Sequence, residues 1–162
     1  GNLPNDHRHS IKVSGAYNIT DALTVGLVAS ATSGRPKSYF SVHPEGVDSC
    51  EQGSPWDACI SKYYDQASHY DENGNPAPRG SKGNLPWSTN VDMSLTYYTD
   101  FFGSDMTLKG TVYNLFNSDS AININEERAQ YGDNGLELNP DYGLVTSRQG
   151  ARYMSLVARI EF

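Results

Sequence analysis

Apolar and polar residues alternate along five segments of the chain, so each segment has one apolar and one polar face. A period of two residues is typical of a β-strand that lies between an apolar environment and water. The predicted strands cover residues 10–19, 22–32, 88–99, 106–117 and 152–162. Alternation in the fourth segment weakens beyond Val112, which predicts a β-bulge there. No segment shows a comparable helical period.

The connections between these segments are sorted by length. Residues 20–21 and 100–105 form short connections, whereas residues 33–87 and 118–150 form long ones. Barrels of bacterial outer membranes have short turns on the periplasmic side and long loops outside the cell. If the last strand ends with Phe162 at the periplasm, both long connections are extracellular.

Aromatic residues cluster near the ends of the predicted strands. Trp87 lies near the long-loop end, and the other members of this set lie near the short turns: Tyr17, Tyr97, Phe101, Phe102 and Phe162. Aromatic girdles at both membrane interfaces are expected of such barrels.

The pattern therefore predicts an all-β fold, a transmembrane antiparallel β-barrel. Five strands cannot close a barrel in lipid, because open edges would leave backbone groups without partners. We expect residues 1–162 to be the C-terminal part of a longer barrel. The alternative is a soluble β-sandwich, whose strands also alternate but are usually shorter, about five or six residues.

Composition excludes some functions. The chain has 162 residues and a net charge of −7, which argues against nucleic acid as a partner because no basic stripe is present to neutralise phosphates. No apolar run approaches the roughly 20 residues of a membrane helix. The chain begins without a secretory leader, so the leader was removed or the chain is a piece of something longer.

Several short motifs resemble one family. The run from Leu3 to Lys12 resembles the loop-to-strand passage late in TonB-dependent receptors, and Val112-Tyr113-Asn114-Leu115-Phe116-Asn117 resembles their V-x-N-L-F-(N/D) signature. The terminal Phe162 completes the set. Three further motifs resemble the Oar-like branch of these receptors: Ser33-Gly34-Arg35-Pro36, Pro78-Arg79-Gly80-Ser81 and Leu85-Pro86-Trp87.

This resemblance implies a 22-stranded barrel of the Gram-negative outer membrane, of which this chain supplies the last five strands. It implies a plug domain and a TonB-contacting segment outside these residues, and import of a scarce ligand with energy transduced by TonB. The implied partners are outer-membrane lipid, the remaining strands and plug, TonB, and the barrel-assembly machinery. For that machinery the expected signal residues are Tyr153, Ile160 and Phe162.

Cys50 and Cys59 are the two cysteines, and they lie in the first long loop. An even count in an oxidising compartment favours a disulfide, which would stabilise a short loop by about 2–3 kcal/mol. The alternative is a metal site with His43 or His69, although the spacing typical of zinc ligands is absent.

The outer loops are rich in aromatic residues. The candidates for binding a ligand or partner are Trp56, Tyr63, Tyr64 and Tyr70, because Tyr and Trp suit wet recognition surfaces. The alternative is that they pack the loops against one another. Residues 71–75 resemble the start of a calcium loop but also fit a tight turn, and residues 133–135 fit a turn. We expect neither a cofactor nor a bound metal.

Charged residues on the polar faces are expected to form a ladder facing the barrel interior: Lys12, Asp92, Lys109, Arg159 and Glu161. His7 and His9 follow Asp6, but no Ser or Cys nucleophile has a defined elbow. We therefore expect a transporter section rather than an enzyme. The alternative is a barrel that anchors extracellular loops for a surface protein, such as a lipoprotein.

Overall fold

The computed structural model describes residues 2–41, 69–132 and 135–161. These residues contain nine β-strands and no helix. The strands are β1 (Ser10–Thr20), β2 (Leu23–Thr32), β3 (Ser88–Phe101), β4 (Ser104–Tyr113), β5 (Ala121–Ile124), β6 (Ala129–Gly132), β7 (Gly135–Leu138), β8 (Val145–Arg148) and β9 (Tyr153–Glu161). The all-β, antiparallel part of the prediction is confirmed.

The five long strands form one sheet in the order β1-β2-β3-β4-β9. Every neighbouring pair is antiparallel. Each long strand coincides with one of the five alternating segments, because alternation is the sequence pattern of a sheet with two different faces.

Both short connections are tight turns at the same end of the sheet. Between β3 and β4, Phe102 and Gly103 have φ angles of 50° and 83°. Two positive φ angles are typical of a type I′ turn, whose twist matches that of the flanking strands. Glycine accepts this conformation without steric cost, whereas Phe102 accepts it while its ring remains exposed.

No register shift interrupts β4 itself, so the bulge predicted beyond Val112 does not lie within this strand. The register of β4 against β9 is regular as far as Tyr113, which pairs with Tyr153. The strand ends there, and Asn114 takes a left-handed φ of 52°. The apolar residues that follow, Leu115 and Phe116, therefore belong to a turn, and this is why the alternation weakened.

The described chain divides into two compact units. The sheet unit comprises Arg8–Ser33, Pro86–Ser120 and Arg148–Phe162, and the loop unit comprises Gly1–His7, Gly34–Leu85 and Ala121–Ser147. The four short strands pair as β5 with β8 and β6 with β7. The sequence did not reveal them, because four residues are too few to show a period.

In the described residues, no helix has the length and apolar character needed to cross a membrane.

Candidate functional site

The five-stranded sheet has one continuous apolar face. The cross-strand register places Val13, Ala29 and Val91 in one row, and Leu27, Met93 and Val112 in another. Further rows carry the apolar residues of all five strands, including Tyr17, Val25, Leu95, Leu108, Ala158, Met106 and Ile160. The faces therefore agree with those predicted from the alternation.

Large side chains on this face are exposed. Leu156 at the centre of β9 is 81% exposed, and Ile11, Val13, Tyr17 and Met154 are each more than half exposed. Burial of one such side chain is worth about 1.5–3 kcal/mol. A soluble monomer rarely leaves more than a few hundred Å² of contiguous apolar surface uncovered. The exposed apolar face is therefore the candidate functional surface of the sheet unit.

Aromatic rings lie at both ends of the sheet. At the short-turn end, Phe101 and Phe102 meet edge to face with ring centroids 4.6 Å apart, and Phe102 is 94% exposed. At the other end, the rings of Trp87 and His9 are stacked, with their centroids 6.2 Å apart and an interplanar angle of 3°. The ring positions agree with the predicted distribution of aromatic residues along the strands.

The opposite face of the sheet is polar. Arg159 and Glu161 form an ion pair of 2.8 Å along β9. Asp92 instead accepts hydrogen bonds from Asn90 Nδ2 at 2.8 Å and from the backbone amide of Asn114 at 2.9 Å. Among the described ion pairs the predicted ladder is represented only by Arg159 and Glu161.

Asn114 ties together the two ends of the 118–150 connection. Its side chain is buried, with 4% exposure, and its Nδ2 donates to the carbonyl oxygens of Ser118 at 2.9 Å and Gly150 at 2.7 Å. Its Oδ1 accepts from the Ser118 amide at 2.8 Å. One amide thus satisfies three backbone groups, and asparagine also tolerates the left-handed conformation found here.

The loop unit is organised around the buried side chain of Tyr39, which is 7% exposed. Its hydroxyl donates to Glu72 and accepts from Arg128 Nε at 3.0 Å. The ring lies 5.1 Å from that of Tyr142, edge to face, and Lys82 Nζ lies 4.8 Å from its centroid. We call these five residues the Tyr39 network. Because the network joins three separate stretches of the chain, it fixes the loop unit internally.

A second buried polar group lies in the same unit. Arg35 Nη1 and Glu126 Oε1 are 2.7 Å apart and both side chains are largely buried, and the same oxygen accepts from the Ser38 amide at 2.8 Å. Arg79 Nε donates to Ser38 Oγ at 2.9 Å. Removal of either Arg35 or Glu126 would leave the other as an uncompensated buried charge, which is strongly destabilising.

The loop-unit motifs that carried the family resemblance meet here. Gly80 has a φ of 87°, and a Cβ on it would lie 3.3 Å from Cβ of Pro36. The Leu85 amide donates to the Arg35 carbonyl at 2.9 Å, and the Gly80 amide donates to Lys37. The arginine, proline and glycine positions of those motifs therefore have a shared packing role.

Burial and hydrogen bonding shift several pKa values in this unit. Burial, followed by the hydrogen bond to Glu72, raises the pKa of Tyr39 to about 12. The hydrogen bond from Tyr39 is the main cause that lowers the pKa of Glu72. Burial raises the pKa of Tyr142 and lowers that of His69. The network therefore favours a neutral phenol beside an ionised carboxylate.

The sign of the pH dependence follows from these shifts. The folded-state pKa of Tyr39 lies above its ordinary value of 10.0, so its stabilising contribution is complete below pH 10.0 and is lost as the pH rises toward 12. For Glu72, whose pKa is lowered, the contribution is present above its ordinary pKa and is lost as the pH falls through the folded-state value.

Replacement of Glu72 by glutamine is expected to move the pKa of Tyr39 part of the way from about 12 back toward 10.0. Burial remains in this variant, but the accepting carboxylate and its charge are removed. Titration of ¹³C-labelled tyrosine by NMR measures the change. Glu127→Gln is the matched control, and an equal shift in that variant would contradict the assigned cause.

The 71–75 segment is a turn whose carboxylate serves the backbone. Asp71 Oδ1 accepts from the amides of Asn73 and Asn75, both at 2.9 Å, and Gly74 has a φ of 77°. The hydrogen bond from the Asn75 amide is the main cause that lowers the pKa of Asp71. This geometry favours the turn over the calcium loop. No cluster of His, Cys, Asp and Glu suited to a metal occurs in the described ranges.

Only some of the predicted site residues can be located. Tyr70 is half-buried and bridges to Pro76 in the loop unit. Tyr153 begins β9 and stacks on Tyr113, and Ile160 pairs with Met106 on the apolar face. The remaining candidates lie outside the described residues: Cys50, Cys59, Trp56, Tyr63, Tyr64, Phe162 and His43.

Sequence reasoning missed Tyr39, Glu72 and Arg128 as a group. The hydrogen-bonding partners of Tyr39 lie 33 and 89 positions away in the chain. No local pattern marks contacts at such separations.

Comparison of the chain with protein-family models, with curated proteins and with solved structures gave no match.

Proposed function

We propose that this chain is part of the β-barrel of a TonB-dependent receptor in the Gram-negative outer membrane. The receptor binds a scarce ligand outside the cell and imports it with energy transduced by TonB. The observation that carries the proposal is the exposed apolar face, which extends over all five strands of the sheet.

Strand length supports a membrane environment for that face. The five long strands contain 11, 10, 14, 10 and 9 residues. A tilted strand needs about 9–11 residues to cross the hydrocarbon layer. A sandwich strand averages about five or six residues, so the observed lengths favour spanning over sandwich packing.

The two connection types support an orientation. Both tight turns leave the sheet at one end, where Phe101 and Phe102 lie. Both long connections leave at the other end, near Trp87. In the proposed receptor the tight turns face the periplasm and the long connections leave the sheet toward the exterior.

A five-stranded sheet has two free edges, here β1 and β9. Within lipid such edges must be paired. The proposal therefore requires further strands of the same receptor to pair with these edges, and the barrel-assembly machinery to join them. The proposed receptor also contains a plug inside the barrel. In it, Tyr153 and Ile160 belong to the strand that the machinery recognises.

A spin-label scan along β9 tests the lipid contact. Single cysteines at Leu156 and Ser155 are introduced into the full gene product in proteoliposomes, with Cys50 and Cys59 replaced by serine. Dissolved oxygen concentrates in lipid and a nickel chelate stays in water. We expect the label at position 156 to be accessible to oxygen and protected from nickel, and the label at 155 to show more nickel access.

Low access of both probes at position 156 would identify a buried protein interface and contradict the proposal. High nickel access there would also contradict it. If oxygen and nickel access also alternate between labels at Val157 and Ala158, the strand has one face toward lipid along its length.

The alternative function, a barrel that anchors loops for a surface protein, is favoured by one observation. The loop unit has its own buried polar network, so it can present a fixed surface. Uptake of the ligand that stops when TonB is deleted supports transport. Recovery of one stoichiometric partner bound through the loop unit, with no TonB dependence, supports anchoring.

A further inference from the structure

A pocket lies on the polar face of the sheet at the end where the long connections leave. Its volume is about 410 Å³. It is bounded by the last residues of β4, the first residue of β9 and the start of β3. The lining residues are Ser88, Asn90, Asp92, Tyr113, Asn114, Gln149, Gly150, Ala151 and Tyr153. All belong to the sheet unit, so the pocket is formed within one compact body.

The pocket contains one carboxylate and no basic side chain. Both hydrogen bonds that Asp92 accepts go to Oδ1. In the described part of the chain, no hydrogen bond to Asp92 Oδ2 and no ion pair of this carboxylate is present. A half-buried carboxylate that keeps one oxygen available attracts a cationic donor.

Two aromatic rings lie beside this carboxylate. Tyr113 and Tyr153 stack with centroids 4.4 Å apart and an interplanar angle of 13°. Tyr153 is 60% exposed, so part of its ring is available to a ligand. The face of an aromatic ring attracts a cation within about 6 Å of its centroid.

Three other polar side chains of the lining, those of Ser88, Asn114 and Gln149, are already engaged. Asn114 binds the carbonyls of Ser118 and Gly150, while Gln149 accepts from Ser88 Oγ and donates to the Thr89 carbonyl. These bonds fix the walls and leave the carboxylate and the rings as the groups that select a ligand.

We propose that this pocket binds the cationic group of a ligand, an ammonium or a guanidinium. Asp92 accepts its hydrogen bonds, and the Tyr113–Tyr153 pair contacts it through the ring faces. The inference rests on the proposed function for its role, since a basic group on the imported ligand would bind at the outer end of the barrel interior. The binding itself requires only the sheet unit.

Saturation-transfer NMR on the full gene product in detergent tests the proposal. The probes are butylammonium and the neutral 1-butanol, which has the same number of heavy atoms. We expect butylammonium to bind at least tenfold more tightly than 1-butanol. We expect Asp92→Asn to weaken butylammonium binding about tenfold or more, since a hydrogen bond to a charged group contributes about 1.5–3 kcal/mol.

Asp92→Asn retains an oxygen at the position that accepts from Asn90 and Asn114, so the fold is expected to survive. Asp105→Asn, the same change at the short-turn end of the neighbouring strand β4, is the control and is expected to leave binding unchanged. Tyr153→Leu is expected to weaken binding several-fold, whereas Tyr153→Phe retains the ring and most of the affinity.

Equal binding of butylammonium and 1-butanol would overturn the proposal, as would equal loss in Asp92→Asn and Asp105→Asn. Two further probes identify the source of the cation: spermidine represents a free polyamine, and Nα-acetyl-lysine amide represents a basic peptide side chain. Failure of the spin-label test with retained butylammonium binding would overturn the membrane assignment alone. Success of the spin-label test without butylammonium binding would overturn this inference alone.

Discussion

Replacement of Asn114 by alanine is expected to lower the free energy of unfolding by about 3–5 kcal/mol. The change removes three hydrogen bonds from a side chain that is 4% exposed, and each buried partner left unsatisfied costs about 1–3 kcal/mol. Alanine also tolerates the left-handed φ of 52° less well, by about 1 kcal/mol. Urea titration of the protein in vesicles measures the difference.

Asn117 provides a matched control. It has a similar φ of 53°, but it is exposed and its Oδ1 accepts one described hydrogen bond, from the Arg152 amide at 3.0 Å. Asn117→Ala is therefore expected to cost about 1–2 kcal/mol. Asn114→Gly removes the hydrogen bonds without the backbone penalty and should fall between the two. Similar losses for both alanine variants would contradict the role assigned to Asn114.

Under the proposed function, replacement of Leu156 by lysine is expected to prevent most of the protein from reaching its folded form in the membrane. Leu156 lies at the centre of β9 and is 81% exposed. A lysine on the lipid face near the bilayer midplane costs about 2–4 kcal/mol. The fraction that migrates as folded barrel in unheated gels measures the effect.

Ser155→Lys supplies the control for this prediction. Ser155 lies on the polar face and pairs with Thr111, so in the proposed barrel a lysine there can reach water in the interior. We expect its folded fraction to match that of the parent protein. If both lysines act alike, or if neither has an effect, the apolar face of β9 does not contact lipid.

The sheet could be predicted from the sequence because its environment differs on its two faces. Each long strand repeats a two-residue pattern, and Gly103 marks the tight turn between β3 and β4. A single apolar or polar residue such as Leu95 or Ser94 carries little information alone. Alternation of apolar and polar residues over ten positions is informative, because a shift of one position would exchange the two faces of the strand.

The loop unit could not be predicted in the same way. The partners of Tyr39 lie far apart in the chain, and its surroundings are polar residues without a period. The end of β4 was hidden for another reason: Leu115 and Phe116 continue an apolar sequence, while the left-handed Asn114 that stops the strand has no local mark. The carboxylate of Asp92 was placed on the polar face, but only the structure shows that the ion pairs of the described residues do not include it.

The two tight turns also determine the order in which the sheet can form. The β1–β2 and β3–β4 pairs close loops of two residues each, and hairpins of this kind form within about 1–10 μs. The β4–β9 pair must first bring together Tyr113 and Tyr153, at the larger entropic cost of a long loop. The β2–β3 pair closes a still longer connection, between Thr32 and Ser88. The two hairpins are therefore expected to form first, and the pairing of β2 with β3 and the docking of β9 are the later steps.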